Sequence, residues 1–216
     1  MPHLVLLDLD KTVLTCNSAN AWMAREWRLK KVSTFQFAEA MTWLAAYHLG
    51  KADVRNFLQH AGMWMAGELE ADIQHRTETF WKEDISTKIR PSMREVIRWH
   101  QSNGDVLALL TASSNYLSEL VAAELSIPHI LSNRMEVIDG CLSGKMQEPL
   151  CFGDGKIVHA EMLGERLSMD WRAGYFYTDS YSDLPVLEAV ANPIVVSPDQ
   201  RLRRIALRNN WRIIAN

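Results

Sequence analysis

Short apolar runs alternate with stretches of helical period along much of the chain. His3 to Leu9 is rich in Leu and Val and runs into carboxylates. It is too short for a helix and reads as a buried parallel strand. Val106 to Leu110 is a second such run, introduced by the turn signal Asn103-Gly104-Asp105. Tyr175 to Tyr177 follows Gly174, Ile194 to Val196 lies between Pro193 and Pro198, and Ile213-Ile214 forms a short last strand. Between them, Ser92 to Gln101 follows Pro91, Tyr116 to Leu125 is apolar at Leu117, Leu120, Val121 and Leu125, and Asp199 to Asn209 carries Leu202, Ile205 and Ala206 on one side. Strands alternating with helices imply an α/β fold: a Rossmann-like, three-layer core with a parallel sheet covered on both faces.

Residues 16–88 break that rhythm. Phe37, Met41, Leu44 and Ala45 fall at helical spacing, and five tryptophans (Trp22, Trp27, Trp43, Trp64, Trp81) lie in this stretch. It reads as an all-helical insertion after the first strand, with Pro91 near the return point. The expected division is therefore a core of residues 1–15 and 89–216 and a helical cap of residues 16–88. Val137-Ile138, Asp139-Gly140 and Leu142 to Lys145 predict a small hairpin with Asp-Gly as its turn.

Composition narrows the class. The 216 residues are 48% hydrophobic and 23% charged, with a net charge of −3. This suits one folded core with a modest insertion and excludes an unfolded chain. No strongly basic region points to nucleic acid. No run of 18 apolar residues is present, so no membrane span is expected. The N-terminal apolar run stops at Asp8, too soon for a signal-peptide core. Cys16, Cys141 and Cys151 are odd in number and lack metal-ligand spacing, which fits a reducing cytoplasm.

The chemistry lies at the ends of the strands. Ligands of parallel sheets gather at the strands' carboxyl ends. Asp8 and Asp10 end the first strand, Thr111 and Ser113 follow the second, and Asp179 and Asp183 follow the third. Taken singly, each group also reads as a turn or a helix cap. Together they bring several acids to one crevice with no obvious basic counterweight. Like charges so close repel in a partly dry site, and a divalent cation relieves this. Oxygen-only ligands suit Mg²⁺.

These residues carry a resemblance. Asp8-Leu9-Asp10-Lys11-Thr12-Val13-Leu14 resembles the first motif of the haloacid dehalogenase superfamily of phosphatases. Leu109-Leu110-Thr111-Ala112-Ser113 resembles the second, Gly155-Lys156 the third, and Thr178-Asp179-Ser180-Tyr181-Ser182-Asp183, followed by Leu184-Pro185, the fourth. The order of the motifs, the Lys156-to-Asp179 separation and a helical cap between the first two motifs are similar to the phosphoserine-phosphatase-like branch.

The resemblance implies a Mg²⁺-dependent phosphomonoesterase acting on a small phosphate ester. Asp8 would be the nucleophile that forms an aspartyl-phosphate, and Asp10 the general acid and base. Lys156 would neutralise phosphate and the Asp8 carboxylate; Lys145 is its competitor in sequence. Thr111, with backbone donors around Ala112 and Ser113, would hold phosphate oxygens. Asp8, the Asp10 carbonyl and Asp179 would hold the metal, with Asp183 orienting its waters. Asn17 stands where phosphoserine phosphatases place a glutamate that reads the substrate amine. An amide cannot supply that charge, so phosphoserine is not favoured and an uncharged or partly apolar leaving group fits better. Asn17 and at least one of Trp22, Trp27 and Trp43 are expected at the mouth of the site. Transfer to an alcohol acceptor and non-catalytic phosphate binding on the same fold are the alternatives. Neither a nucleic-acid partner nor a membrane span is expected, and the chain is expected as a monomer or homodimer.

Other features point elsewhere. The seven histidines show no metal pattern. Arg25, Arg28, Lys30 and Lys31 read as a solvated basic face, and Arg201, Arg203, Arg204, Arg208 and Arg212 as decoration of the last helix.

Overall fold

The computed structural model describes residues 2–48 and 54–215. Among them, six parallel strands form one sheet in the order β3-β2-β1-β6-β7-β8. The strands are β1 (Leu4–Leu7), β2 (Val106–Ser114), β3 (His129–Asn133), β6 (Tyr175–Thr178), β7 (Asn192–Val196) and β8 (Arg212–Ile214). The α/β class and parallel sheet are as expected. The chain leaves β1 toward β2 and β3, then returns to build β6, β7 and β8 on the other side. The junction of β1 and β6 is therefore the topological switch point, where a crevice opens beyond the strand ends.

Every side chain of β1 is fully buried, because both faces are covered. Val5 and Leu7 face helices α5 (Pro91–Ser102) and α6 (Asn115–Leu125), meeting Met93, Ile97, Leu117 and Val121. Leu4 and Leu6 face the opposite layer of α7 (Gly155–Leu167), α8 (Leu184–Ala189) and α9 (Gln200–Arg208), meeting Ala160, Leu163, Val186, Leu187 and Leu202. Pro91 opens α5 at its first turn, where the missing N–H is no loss. Asp199 caps α9 by accepting from the Arg201 and Leu202 N–H groups.

Helices α1 (Ser18–Arg28), α2 (Thr34–His48), α3 (Val54–Met63) and α4 (Glu70–Phe80) occupy the 16–88 stretch. The segments entering and leaving it pair with each other: Thr15 N–H donates to Lys88 O and Arg90 N–H to Val13 O, both at 2.8 Å. Phe80, Trp81 and Ile85 join the core beneath α5. Met41 lies on α2 partly buried, while the side chains of Leu44 and Ala45 lie outside the described residues.

The expected hairpin is β4 (Met135–Ile138) and β5 (Cys141–Met146). Asp139 and Gly140 both take positive φ, 50° and 78°, as a tight two-residue turn requires. The hairpin grips the 62–70 segment: Gly67 N–H donates to Leu142 O at 2.8 Å, and Leu142 N–H to Glu68 O at 2.9 Å. A Cβ on Gly62 would lie 2.8 Å from Gly144 O, so these backbones cross in contact.

Four expectations need correction. Arg212 opens β8 and is not on the last helix, which ends at Arg208. The second strand runs on through Thr111–Ser113 to Ser114, so those residues belong to it and do not follow it. Strand β3 was unforeseen; it is short, lies at the sheet edge, and carries the polar residues His129, Ser132 and Asn133. Arg25 is not on a solvated face. It is buried and pairs with Glu83 at 2.7 Å and with Asp84.

Candidate active site

Asp8 and Asp179 follow β1 and β6 directly, one on each side of the switch point. The Asp8 N–H extends the β1–β6 pairing by donating to Tyr177 O at 2.9 Å, which fixes where its carboxylate emerges. Asp8 is almost fully buried.

Lys156 Nζ donates to Asp8 Oδ1 and to Asp183 Oδ2, both at 2.8 Å. The lysine is only 2% exposed. Its helix can start there because Gly155 has no side chain; a Cβ would lie 2.0 Å from Leu150 O. Asp183 also accepts from Thr178 Oγ1 at 2.6 Å. Lys145, by contrast, is exposed on the hairpin.

Burial dominates the electrostatics. It pushes the Asp8 carboxyl up to about 7, against the pull of Lys156, while Asp183 and Asp10 add their repulsion. It pushes Asp179 up to about 8, with the Asp8 charge as the next cause. Asp10 is also raised by burial, partly offset by hydrogen bonds from Ser18. For Lys156, burial favours the neutral amine, but the Asp183 and Asp8 charges outweigh it and the ammonium is held well above its ordinary pKa.

After β1 the chain makes a sharp bend. Asp10 is extended and Lys11 takes φ 55°, so the carboxylates of Asp8 and Asp10 are not simple alternating strand side chains. Asp10 Oδ1 accepts the Ser18 N–H at 2.8 Å. Ser18 Oγ meets Ser113 Oγ at 2.9 Å, and the Ser113 N–H donates to Thr111 Oγ1 at 3.1 Å. Asn133 Nδ2 holds the Ala112 carbonyl at 2.8 Å, and its Oδ1 accepts the Cys151 N–H at 2.7 Å. The second-motif residues are thereby linked to Asp10 on one side and to the loop leading to Lys156 on the other.

Asn17 caps α1: its Oδ1 accepts the Asn20 N–H at 2.9 Å. Of the tryptophans, Trp22 packs edge-on against Phe80 at 5.3 Å and lies beneath the Arg76 guanidinium. Trp27 stacks on Phe37 at 4.7 Å, and Trp43 is half-buried on α2.

Ser18, Thr178, Asn133 and Arg90 were not singled out for the site. Thr178 reaches the site through the Asp183 carboxylate, while Asn133 and Arg90 touch main chain and a hydroxyl, which leave no sequence pattern. A cleft of about 1220 Å³ lies elsewhere, between α5 and β6–β8, and is lined by Trp99, Tyr175 and Trp211.

Asp8, Asp179 and the Asp10 carbonyl would offer oxygen-only donors, the type that suits Mg²⁺. The crowding that raises Asp179 is what a bound cation relieves. Among the described residues no three His, Cys, Asp or Glu side chains form a ready cage. Two carboxylates and a carbonyl would then hold the ion.

The fold and this arrangement define a haloacid dehalogenase-like hydrolase: residues 5–188 match that family, and the chain belongs to it. The resemblance to its phosphoserine-phosphatase-like branch is borne out. The chain is 28% identical over 214 residues to the phosphoserine phosphatase SerB1 of Mycobacterium tuberculosis, covering 95% of this chain and 68% of that one. It is 27% identical to the histidinol-phosphatase of Neisseria meningitidis, covering 99% of each. A Bordetella pertussis protein described as of unknown function superposes with a TM-score of 0.91 at 25% identity, covering 99% of both chains. A substrate-bound phosphoserine phosphatase shares the fold, with a TM-score of 0.74 at 15% identity over 99% of this chain and 93% of that one.

Proposed function

We propose that the chain is a Mg²⁺-dependent phosphomonoesterase that hydrolyses a small organic phosphate through an aspartyl-phosphate on Asp8. The observation that carries this reading is the buried bridge from Lys156 to Asp8 and Asp183 beside the switch point. Lys156 directs Asp8 and would offset the charge of an incoming phosphoryl group. Asp8 would attack phosphorus, and the leaving oxygen would take its proton from Asp10. The raised pKa of Asp10 favours the protonated form this step needs. The same carboxylate would then take a proton from the water that cleaves the aspartyl-phosphate. Thr111 and main-chain donors at Ala112 and Ser113 would bind phosphate oxygens. Mg²⁺, held by Asp8, the Asp10 carbonyl and Asp179, would draw charge from the phosphoryl group, and Asp183 would fix its surroundings through Lys156 and Thr178.

We read residues 16–88 as the cap that presents selectivity to the leaving group. The names of the Mycobacterium and Neisseria relatives point to phosphate esters of amine-bearing alcohols. At the position expected to read such an amine, this chain has an uncharged residue whose carbonyl oxygen caps a helix. An uncharged or partly apolar leaving group follows. The free thiols of Cys16, Cys141 and Cys151 suit a reducing cytoplasm.

The test is phosphate release from a panel of amino-acid, amino-alcohol, sugar, nucleotide and lipid-derived phosphates with Mg²⁺, with and without an alcohol acceptor. Phosphate release that saturates with one small ester supports the reading. No release with any ester in Mg²⁺ contradicts it, and appearance of a phosphorylated acceptor identifies transfer instead.

A further inference from the structure

Arg90 is 4% exposed and lies where the chain returns from the 16–88 stretch. Among the described residues no carboxylate forms an ion pair with it. Its guanidinium instead divides among three neutral oxygens. Nη2 donates to Lys11 O at 2.7 Å, Nε to Thr12 O at 3.0 Å and Nη1 to Ser197 Oγ at 3.3 Å.

Two of those three acceptor residues share a property. Lys11 and Ser197 both have left-handed backbones, with φ of 55° and 44°. A side chain with a Cβ adopts that conformation only at a cost, so the surroundings must hold it. The carbonyls held by Arg90 belong to the two peptides that follow the Asp10–Lys11 peptide, whose own N–H, that of Lys11, donates to Cys16 O at 2.9 Å, so Arg90 fixes the far side of the bend that carries Asp10. Ser197 leads to Asp199, whose N–H donates to Asp179 O at 3.3 Å. One buried fork therefore ties the bend that carries Asp10 to the loop that buttresses Asp179.

We infer that Arg90 is a positioning residue for the cation cradle, holding the bend that carries Asp10 and the Asp179 loop in the geometry that Mg²⁺ requires. The inference rests on the Mg²⁺ reading above. The fork shape matters more than the charge, because a cation near the cradle opposes a divalent ion. Lysine would keep the charge but cannot span three acceptors.

The experiment is titration calorimetry of Mg²⁺ into the substrate-free full chain, with thermal unfolding of each variant alongside. Arg90→Lys and Arg90→Met are both expected to weaken Mg²⁺ binding about 10- to 100-fold in folded protein, as loss of an outer partner of a metal site does. A merely structural role predicts a lowered Tm with an unchanged Kd, and a charge role predicts that Arg90→Met binds more tightly; either result overturns the inference. Should Arg90→Met not fold, Arg90→Lys decides, joined by Ser197→Ala, which is expected to weaken binding about 2- to 10-fold for one lost hydrogen bond. A wild-type chain that binds no Mg²⁺ overturns the metal reading itself. Wild-type binding matched by a folded Arg90→Lys overturns only the role of Arg90.

Discussion

The main-chain N–H of Ser18 donates to Asp10 Oδ1 at 2.8 Å, so the residue proposed as acid and base is gripped by the first turn of the first helix beyond the core strand. Ser18 is the first helical residue after the Asn17 cap, where proline is well tolerated. Asn17 already has the extended backbone that a following proline demands, φ −90° and ψ 115°. Ser18→Pro therefore removes the N–H while sparing the helix. Because hydrogen bonds from Ser18 lower the Asp10 pKa, their loss raises it further. The protonated acid then persists to higher pH, and the alkaline fall of kcat/KM should move upward. Ser18→Ala, which keeps the N–H, should move it less. A profile unchanged in Ser18→Pro would show that this contact does not tune Asp10.

How much of this was legible in the sequence depends on what each residue touches. Asp8, Asp10, Asp179 and Asp183 were legible only as a set: each taken singly also reads as a turn or a helix cap, and it is their order after successive strands that points to one crevice. The α5 and α9 helices were legible from Pro91 and Asp199 at their starts. Lys156 was legible only through the family resemblance, since a single lysine opening a helix is ordinarily solvated. Its burial depends on Gly155 packing against Leu150, a contact between residues that no periodicity marks. Strand β3 escaped because an edge strand with His129, Ser132 and Asn133 lacks an apolar run. Arg25 misled because its acids, Glu83 and Asp84, lie far away in sequence.

Lys156 neutralises two buried carboxylates, so its loss strands both. Lys156→Met should abolish turnover and lower stability by about 3–5 kcal/mol, the usual penalty for breaking a buried pair from one side. Denaturant unfolding at neutral pH measures it. A stability loss below about 1 kcal/mol would mean that water reaches Asp8 and Asp183 freely.

Asp8 and Asp179 are held at about 7 and about 8, above their ordinary carboxylate values, chiefly by burial. Between those values and the unfolded range the folded chain holds more protons than the unfolded chain. Metal-free stability should therefore fall as pH rises from about 4 to about 8. Under the proposed ligation, Mg²⁺ would be held by the ionised pair and would oppose that fall. The rise in Tm on adding Mg²⁺ should be larger at pH 8 than at pH 5.5. An equal rise at both values would contradict the proposed ligands.

The hairpin contact tests how the 62–70 segment is held. Gly144 has φ 86°, and a Cβ there would meet Ala66 Cβ at 2.9 Å. Gly144→Ala should destabilise the chain by about 1–3 kcal/mol through overpacking and backbone strain. Gly104→Ala, at φ 75° with open space around it, should lose less because only the backbone penalty remains. Equal losses in the two variants would remove packing from the explanation.

Turnover by Asp8→Asn tests the central claim most directly. The substitution is nearly isosteric and removes the proposed nucleophile. With folding verified by thermal unfolding and Mg²⁺ present, hydrolysis of a small phosphate ester should fall about 1000-fold or more, and no acid-stable 80 Da adduct should appear on the residue 8 peptide after rapid quench. Near-normal turnover by folded Asp8→Asn would contradict the aspartyl-phosphate mechanism.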